Sequence, residues 1–132
     1  MAKAKRVKQL SFTLSTRAGL LSDVTSAIAK AKVNITAICA YEMAKNAYFM
    51  LTADSAARAK KCLAFLKIGI EEEEVVVVEM PNKVGELQKV AKKIADAGIN
   101  IDYMYGTAAA GKSSTCVFKT SDDKKAIRAI NK

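Results

Sequence analysis

"TRAGLLSDVTSAIAKAKVNI", Thr16 to Ile35, decides how this chain is read, because the stretch occurs twice. "NKVGELQKVAKKIADAGINI", Asn82 to Ile101, aligns with it without a gap at an offset of 66 residues. Eight of the twenty positions are identical: Gly19/Gly85, Leu21/Leu87, Val24/Val90, Ile28/Ile94, Ala29/Ala95, Ala31/Ala97, Asn34/Asn100 and Ile35/Ile101. Shared helical composition explains the alanines. It does not explain a glycine before the helix and an asparagine after it at one spacing. A fixed period of this length marks a repeated supersecondary unit.

Each unit reads outward from that core in the same order. Leu10, Phe12 and Leu14 alternate with polar residues, which makes a half-buried strand. Gly19 closes a short polar turn, and Leu21, Val24, Ile28 and Ala31 then mark one face of a helix. "VNITAICAYEM" is a second strand, "AKN" a turn and "AYFMLTA" a third strand. Asp54 or Ser55 can cap a second helix with Ala59, Leu63 and Leu66 on one face. The second unit repeats this with "VVVVEM", the helix face Leu87, Val90, Ile94 and Ala97, then "INIDYMY", "STCVFKT" and "SDDKKAIRAINK". The expected fold is α+β, as two βαββα(β) modules at 6–73 and 74–132. The last strand of the second is short, missing or exchanged, since the chain given stops in a helix. "KIGIEEEEVVVVEM" leaves no linker, so a continuous strand from about Ile70 to Met80 is expected.

Composition excludes several function classes. The 132 residues suit one ordinary domain or two small ones. No apolar run approaches the ~20 residues that cross a bilayer, and "MAKAKRVKQL" has no apolar signal core, so a cytoplasmic protein without membrane contact is expected. There is no histidine, which removes His-based triads, dyads and metal sites. Cys39, Cys62 and Cys116 are far apart and lie in periodic apolar segments, so they read as small core residues, with no disulfide framework and no metal. The net charge of +9 reads as lysine on solvated helix faces, the other reading being a polyanion partner.

One motif points elsewhere. "GTAAAGKSS", Gly106 to Ser114, matches the phosphate-binding pattern G-x-x-x-x-G-K-[ST]. That loop requires a helix directly after it, whose N-terminus faces the phosphates. Here "SSTCVFKT" follows and reads as a strand, so "TAAAGKS" is a hairpin turn and no nucleotide is expected there.

The repeated core, "RAGLLSDVTSAIAKAKVNI" and "KVGELQKVAKKIADAGINI", resembles the ACT domain, over nearly the whole chain and twice. The resemblance is to stand-alone tandem ACT proteins. It implies a ferredoxin-like fold, an antiparallel sheet with two helices on one face, and a regulatory function through amino-acid binding. The family's usual Asp-Arg-Pro-Gly turn is here Thr16-Arg17-Ala18-Gly19 and Asn82-Lys83-Val84-Gly85, without the proline. Lys32-Val33 stands where the family has Gly-Ile. In the family the ligand lies where the turn of one module faces strand two of another. Carried over, this implies Gly19, Leu20, Leu21 and Asn34 against Gly85, Glu86, Leu87 and Asn100.

The residues themselves permit that site. A glycine at the mouth of a helix admits a ligand close to the backbone, and the first helical N–H groups favour a carboxylate. An asparagine can hold an ammonium or a carboxylate. The plainer alternatives are a turn that needs positive φ at Gly19 and Gly85, and asparagines that end the helix in the left-handed region. Tyr103 and Tyr105 share a strand face, read as packing surface. RNA binding is the rival reading, since RNA-recognition modules share the element order. Their aromatic signature is missing, so nucleic acid is not expected. No cofactor and no catalytic residue is expected, and a metabolic enzyme is a candidate partner. The "VVVV" run would leave an open apolar edge in a three-stranded second module, so a homodimer is expected to cover it.

Overall fold

The computed structural model describes residues 1–108 and 110–132. The elements are β1 (Lys3–Ser15), α1 (Leu20–Lys30), β2 (Ile35–Met43), β3 (Asn46–Ala53), α2 (Ala56–Cys62), β4 (Glu71–Pro81), α3 (Glu86–Asp96), β5 (Ile101–Ala108), β6 (Ser113–Thr120) and α4 (Asp123–Asn131). The equivalent helices α1 and α3 begin and end at equivalent positions of the repeat. The chain forms two compact units, Lys8–Glu73 and Met1–Val7 with Glu74–Lys132.

In Lys8–Glu73 the strand order is β2-β3-β1 followed by the first residues of β4. β1 and β3 pair antiparallel with Phe12 opposite Phe49, and β2 pairs with β3 through a two-residue turn at Ala44 and Lys45. The period of two sends Leu10, Phe12, Phe49 and Leu51 to the helix side, where they meet Val24 and Ile28 of α1 and Ala59 of α2. The two phenylalanine rings stack at 5.0 Å. Ser55 caps α2, its hydroxyl accepting the Arg58 N–H at 3.2 Å. The guanidinium of Arg58 donates to the Ala31 carbonyl at the end of α1.

The other unit follows the same plan. Its order is β4-β6-β5, with Val76 opposite Phe118 and Met104 opposite Phe118 on the other side. Val76, Val78, Met80 and Phe118 pack under Val90 and Ile94 of α3 and Ala126 and Ile130 of α4. Asp122 caps α4 by accepting the Lys125 N–H at 3.1 Å. β4 runs from Glu71 to Pro81 without interruption, as the absence of a linker implied.

The N-terminus corrects the sequence reading. The basic start does more than precede strand one: β1 begins at Lys3, and Lys3–Val7 is the fourth strand of the second unit, beside β4. Ala4 enters that unit's core. The Asn131 carboxamide accepts the Ala4 N–H at 2.7 Å and donates to the Ala4 carbonyl at 2.9 Å, as a neighbouring strand would. Arg6 pairs with Glu74 at 2.7 Å. The second module is therefore four-stranded. The edge beside Val75–Val78 is paired within the chain, and the reason given for a homodimer falls with it.

Candidate functional site

The turns before α1 and α3 are set by backbone geometry. Gly19 and Gly85 sit at the heads of these helices at φ 83° and 85°. A residue with a Cβ is strained there, so the plainer reading of these glycines holds. Crowding is not the reason. A Cβ on Gly85 would meet nothing within 4 Å, and one on Gly19 only the Arg17 Nη1 at 4.0 Å. Open surface thus lies in front of both turns. The Gly19 carbonyl accepts from Asp23 at 2.9 Å, and that of Gly85 from Lys89 at 3.1 Å, which starts each helix. No side chain caps either one; Leu20 N–H and Glu86 N–H turn back to the Arg17 and Lys83 carbonyls, and the positive end of the helix dipole lies at each turn.

Leu21 and Leu87 flank these mouths with 55% and 45% of their surface exposed. The position before them differs between modules. Leu20 is buried in its core, whereas Glu86 places a carboxylate at the head of α3. The Lys89 ammonium sits 2.8 Å away. Its hydrogen bond holds the Glu86 carboxyl below the usual range, against a smaller desolvation effect.

The asparagines are held by their backbones. Asn34 N–H donates to Asp54 Oδ1 at 3.1 Å, and its carbonyl accepts from Asp54 N–H at 2.9 Å. Asn100 makes the same pair of bonds with Ser121, at 3.0 and 2.9 Å. Both residues are exposed, and neither carboxamide is engaged among the described residues. Neither asparagine ends its helix in the left-handed region. Lys32 at φ 57° and Gly98 at φ 72° do that. Within one module glycine and asparagine lie at opposite ends of an eleven-residue helix, ~16 Å apart at ~1.5 Å per residue. No single module brings the two together.

A cavity of about 430 Å³ adjoins the first turn. Thr13, Ser15, Asn46 and Arg17 give it polar groups, and Leu14, Leu20, Leu66 and Ile68 an apolar floor. Arg17 also pairs with Asp23 at 2.5 Å. At the matching place of the second unit is a smaller cavity of about 300 Å³, with Glu79, Lys3, Lys112 and Ser113 on its wall. A third of about 460 Å³ lies along Lys3–Lys5, away from both turns. Sequence reasoning missed Thr13, Ser15 and Asn46, because it named residues that repeat and these do not. The signal for Thr13 and Ser15 was the polar side of the alternation in strand one, and that for Asn46 its place at the turn before strand three.

The chain matches the family described as ACT domain pair over residues 5–132. It belongs to that family. No curated protein matches it. Among solved structures it is similar to a protein of Bacteroides thetaiotaomicron, at 30% identity and TM-score 0.87, covering 97% of this chain and 88% of that one. The regulatory subunit of aspartate kinase from Thermus thermophilus, in ligand-free form, shares the fold at 16% identity and TM-score 0.70, covering 98% and 94%. A putative C-terminal regulatory domain of aspartate kinase from Porphyromonas gingivalis does so at 14% and 0.68, covering 99% and 94%.

The remaining motifs of this ACT pair are structural. β5 and β6 pair antiparallel up to Ala108 opposite Ser114, so the phosphate-loop match spans a hairpin, of which Ala109 lies outside the described residues. Asn82 ties that hairpin to β4, its N–H donating to the Lys112 carbonyl and its carboxamide to that of Gly111. β6, not a helix, follows Lys112. Cys116 is buried and Cys62 half-buried, and burial pushes both thiols up. No group of three or more metal-binding side chains exists among the described residues. Among them no helix is long and apolar enough to cross a membrane.

Proposed function

We propose that this ACT pair is a non-enzymatic allosteric regulator that binds a free amino acid and passes its level to a metabolic enzyme. The ligand's carboxylate lies at a glycine turn, Gly19 with Leu20 and Leu21 or Gly85 with Glu86 and Leu87. The carboxamide of Asn34 or Asn100, from a module other than the one whose turn is used, completes the seat. One observation carries this reading. Each module presents an uncapped helix mouth with open space before it and an asparagine whose backbone is clamped and whose carboxamide is unengaged. Helix termination does not need those asparagines, which supports a part in recognition.

A melting screen of the full chain against each common amino acid tests the proposal. A ligand at about one hundred times its dissociation constant adds ~2.7 kcal/mol, several degrees for units of this size. Asn34→Ala and Asn100→Ala should abolish that shift and leave the unliganded melting point in place. A shift with single-stranded RNA alone, weakening steeply with salt, would support the nucleic-acid reading instead. The structure offers that reading little: Tyr41 and Tyr48, on the helix-free side of their strands, already stack on each other at 5.2 Å.

A further inference from the structure

Two cavities share the end of the first strand of each repeat, Thr13–Ser15 and Glu79–Pro81, yet their walls differ in charge. We propose that each chain carries one competent seat, the cavity in Lys8–Glu73, and that it selects an amino acid with an aliphatic side chain. This rests on the amino-acid reading above and adds to it the number of seats and the chemical class of ligand.

Thr13 is equivalent to Glu79, Ser15 to Pro81 and Leu20 to Glu86. No carboxylate lines the first cavity among the described residues. The nearby Asp23 is paired with Arg17, which also lines the wall. Thr13, Ser15 and Asn46 offer neutral oxygens for an ammonium group and donors for a carboxylate. The floor of Leu14, Leu20, Leu66 and Ile68 suits an aliphatic side chain. A lysine or aspartate side chain on that floor would lose its hydration with no partner in return.

The second unit differs at the polar and charged positions. Glu79 lines the cavity with a carboxylate, and Pro81 brings neither hydroxyl nor N–H where Ser15 has both. Glu86 stands at the head of α3 and is itself the anion that the helix dipole favours. An incoming carboxylate there competes with Glu86 for the helix dipole, and an aliphatic side chain would lie against the charged Glu79, Lys3 and Lys112.

Calorimetric titration of the full chain with L-leucine, L-lysine and L-aspartate tests this. L-leucine should bind once per chain, and the other two about tenfold more weakly or less. Ser15→Glu, at an exposed rim position, should abolish L-leucine binding without moving the unliganded melting point. The double variant Glu79→Thr/Glu86→Leu should raise the stoichiometry to two. Two equal seats in the unaltered chain, tighter binding of L-lysine or L-aspartate, or a stoichiometry still at one in the double variant would overturn the proposal. All three leave amino-acid binding itself intact. Silence of every amino acid in the melting screen removes that reading, and this one with it.

Discussion

The unit Lys8–Glu73 is one continuous stretch of chain, whereas its counterpart joins Met1–Val7 to Glu74–Lys132. Both build four strands and two helices around the same repeated residues, Val24, Ile28 and Val90, Ile94. They differ where the repeat is silent. One helix opens on buried Leu20, the other on Glu86. One ends through Lys32, the other through Gly98. One hairpin turns on two residues, the other on a longer glycine-containing loop. Residues common to the modules fix backbone and core, and those that differ set charge, strain and closure.

The most disruptive way to sharpen that comparison is to delete residues 1–7. The second unit would lose Ala4 from its core, the bonds to Asn131 and the strand beside β4. At ~1 kcal/mol per ladder bond plus the burial, the cost should be ~3–5 kcal/mol. Hydrogen exchange should show lost protection concentrated in Glu74–Lys132. Loss centred on Lys8–Glu73 would break the assignment of that strand.

Gly106→Ala is next. A Cβ there would fall 2.5 Å from Cys116 Sγ and 3.1 Å from the Thr115 carbonyl oxygen. Overpacking of this kind costs ~1–3 kcal/mol. The equivalent Ala40 shows that the other module has the room. Urea unfolding should show the loss, and Cys116→Ala in the same chain should restore part of it.

Lys32→Gly and Gly98→Ala are opposite tests of the helix ends. Lys32 holds φ 57° with a side chain that disfavours it, and Gly98 holds φ 72° freely. The first change should stabilise by ~0.5–1 kcal/mol and the second destabilise by ~1 kcal/mol. Equal signs in thermal melts would mean that the two ends are not equivalent.

The smallest effect is expected from Lys112→Ala. As a hairpin residue on an exposed loop it should change stability by less than ~0.5 kcal/mol. A micromolar nucleotide affinity that vanishes in this variant would contradict the hairpin reading.

The helices and the order of strands were legible because their signals are local: a glycine, an apolar face, an alternation. The uninterrupted β4 was legible from the missing linker. Lys3–Val7 was not. In "KAKRV" only Ala4 reaches the core, and what makes it a strand is the edge of β4, some seventy residues away in sequence. The glycines and asparagines were legible as a repeat, and the reason for each glycine, its positive φ, was among the readings already open. Which residue ends the helix was not decided by sequence, since Lys32 is a poor left-handed residue held by local bonds, its N–H to the Ala29 carbonyl and the Val33 N–H to that of Ile28. Thr13, Ser15 and Asn46 escaped because a cavity is formed by residues brought together from separate strands.

The bond between Ala4 and Asn131 spans 127 residues. During synthesis the N-terminal strand leaves the ribosome first and finds its partner last. Everything in Lys8–Glu73 is available once Glu73 has emerged, so that module can close while its counterpart is still being made. Lys3–Val7 can meet β4 only after Glu74–Pro81 has been made, and its bonds to Asn131 form only once α4 exists. An order of birth opposite to the order of docking gives the repeat a direction in time that its near-symmetry in space does not show.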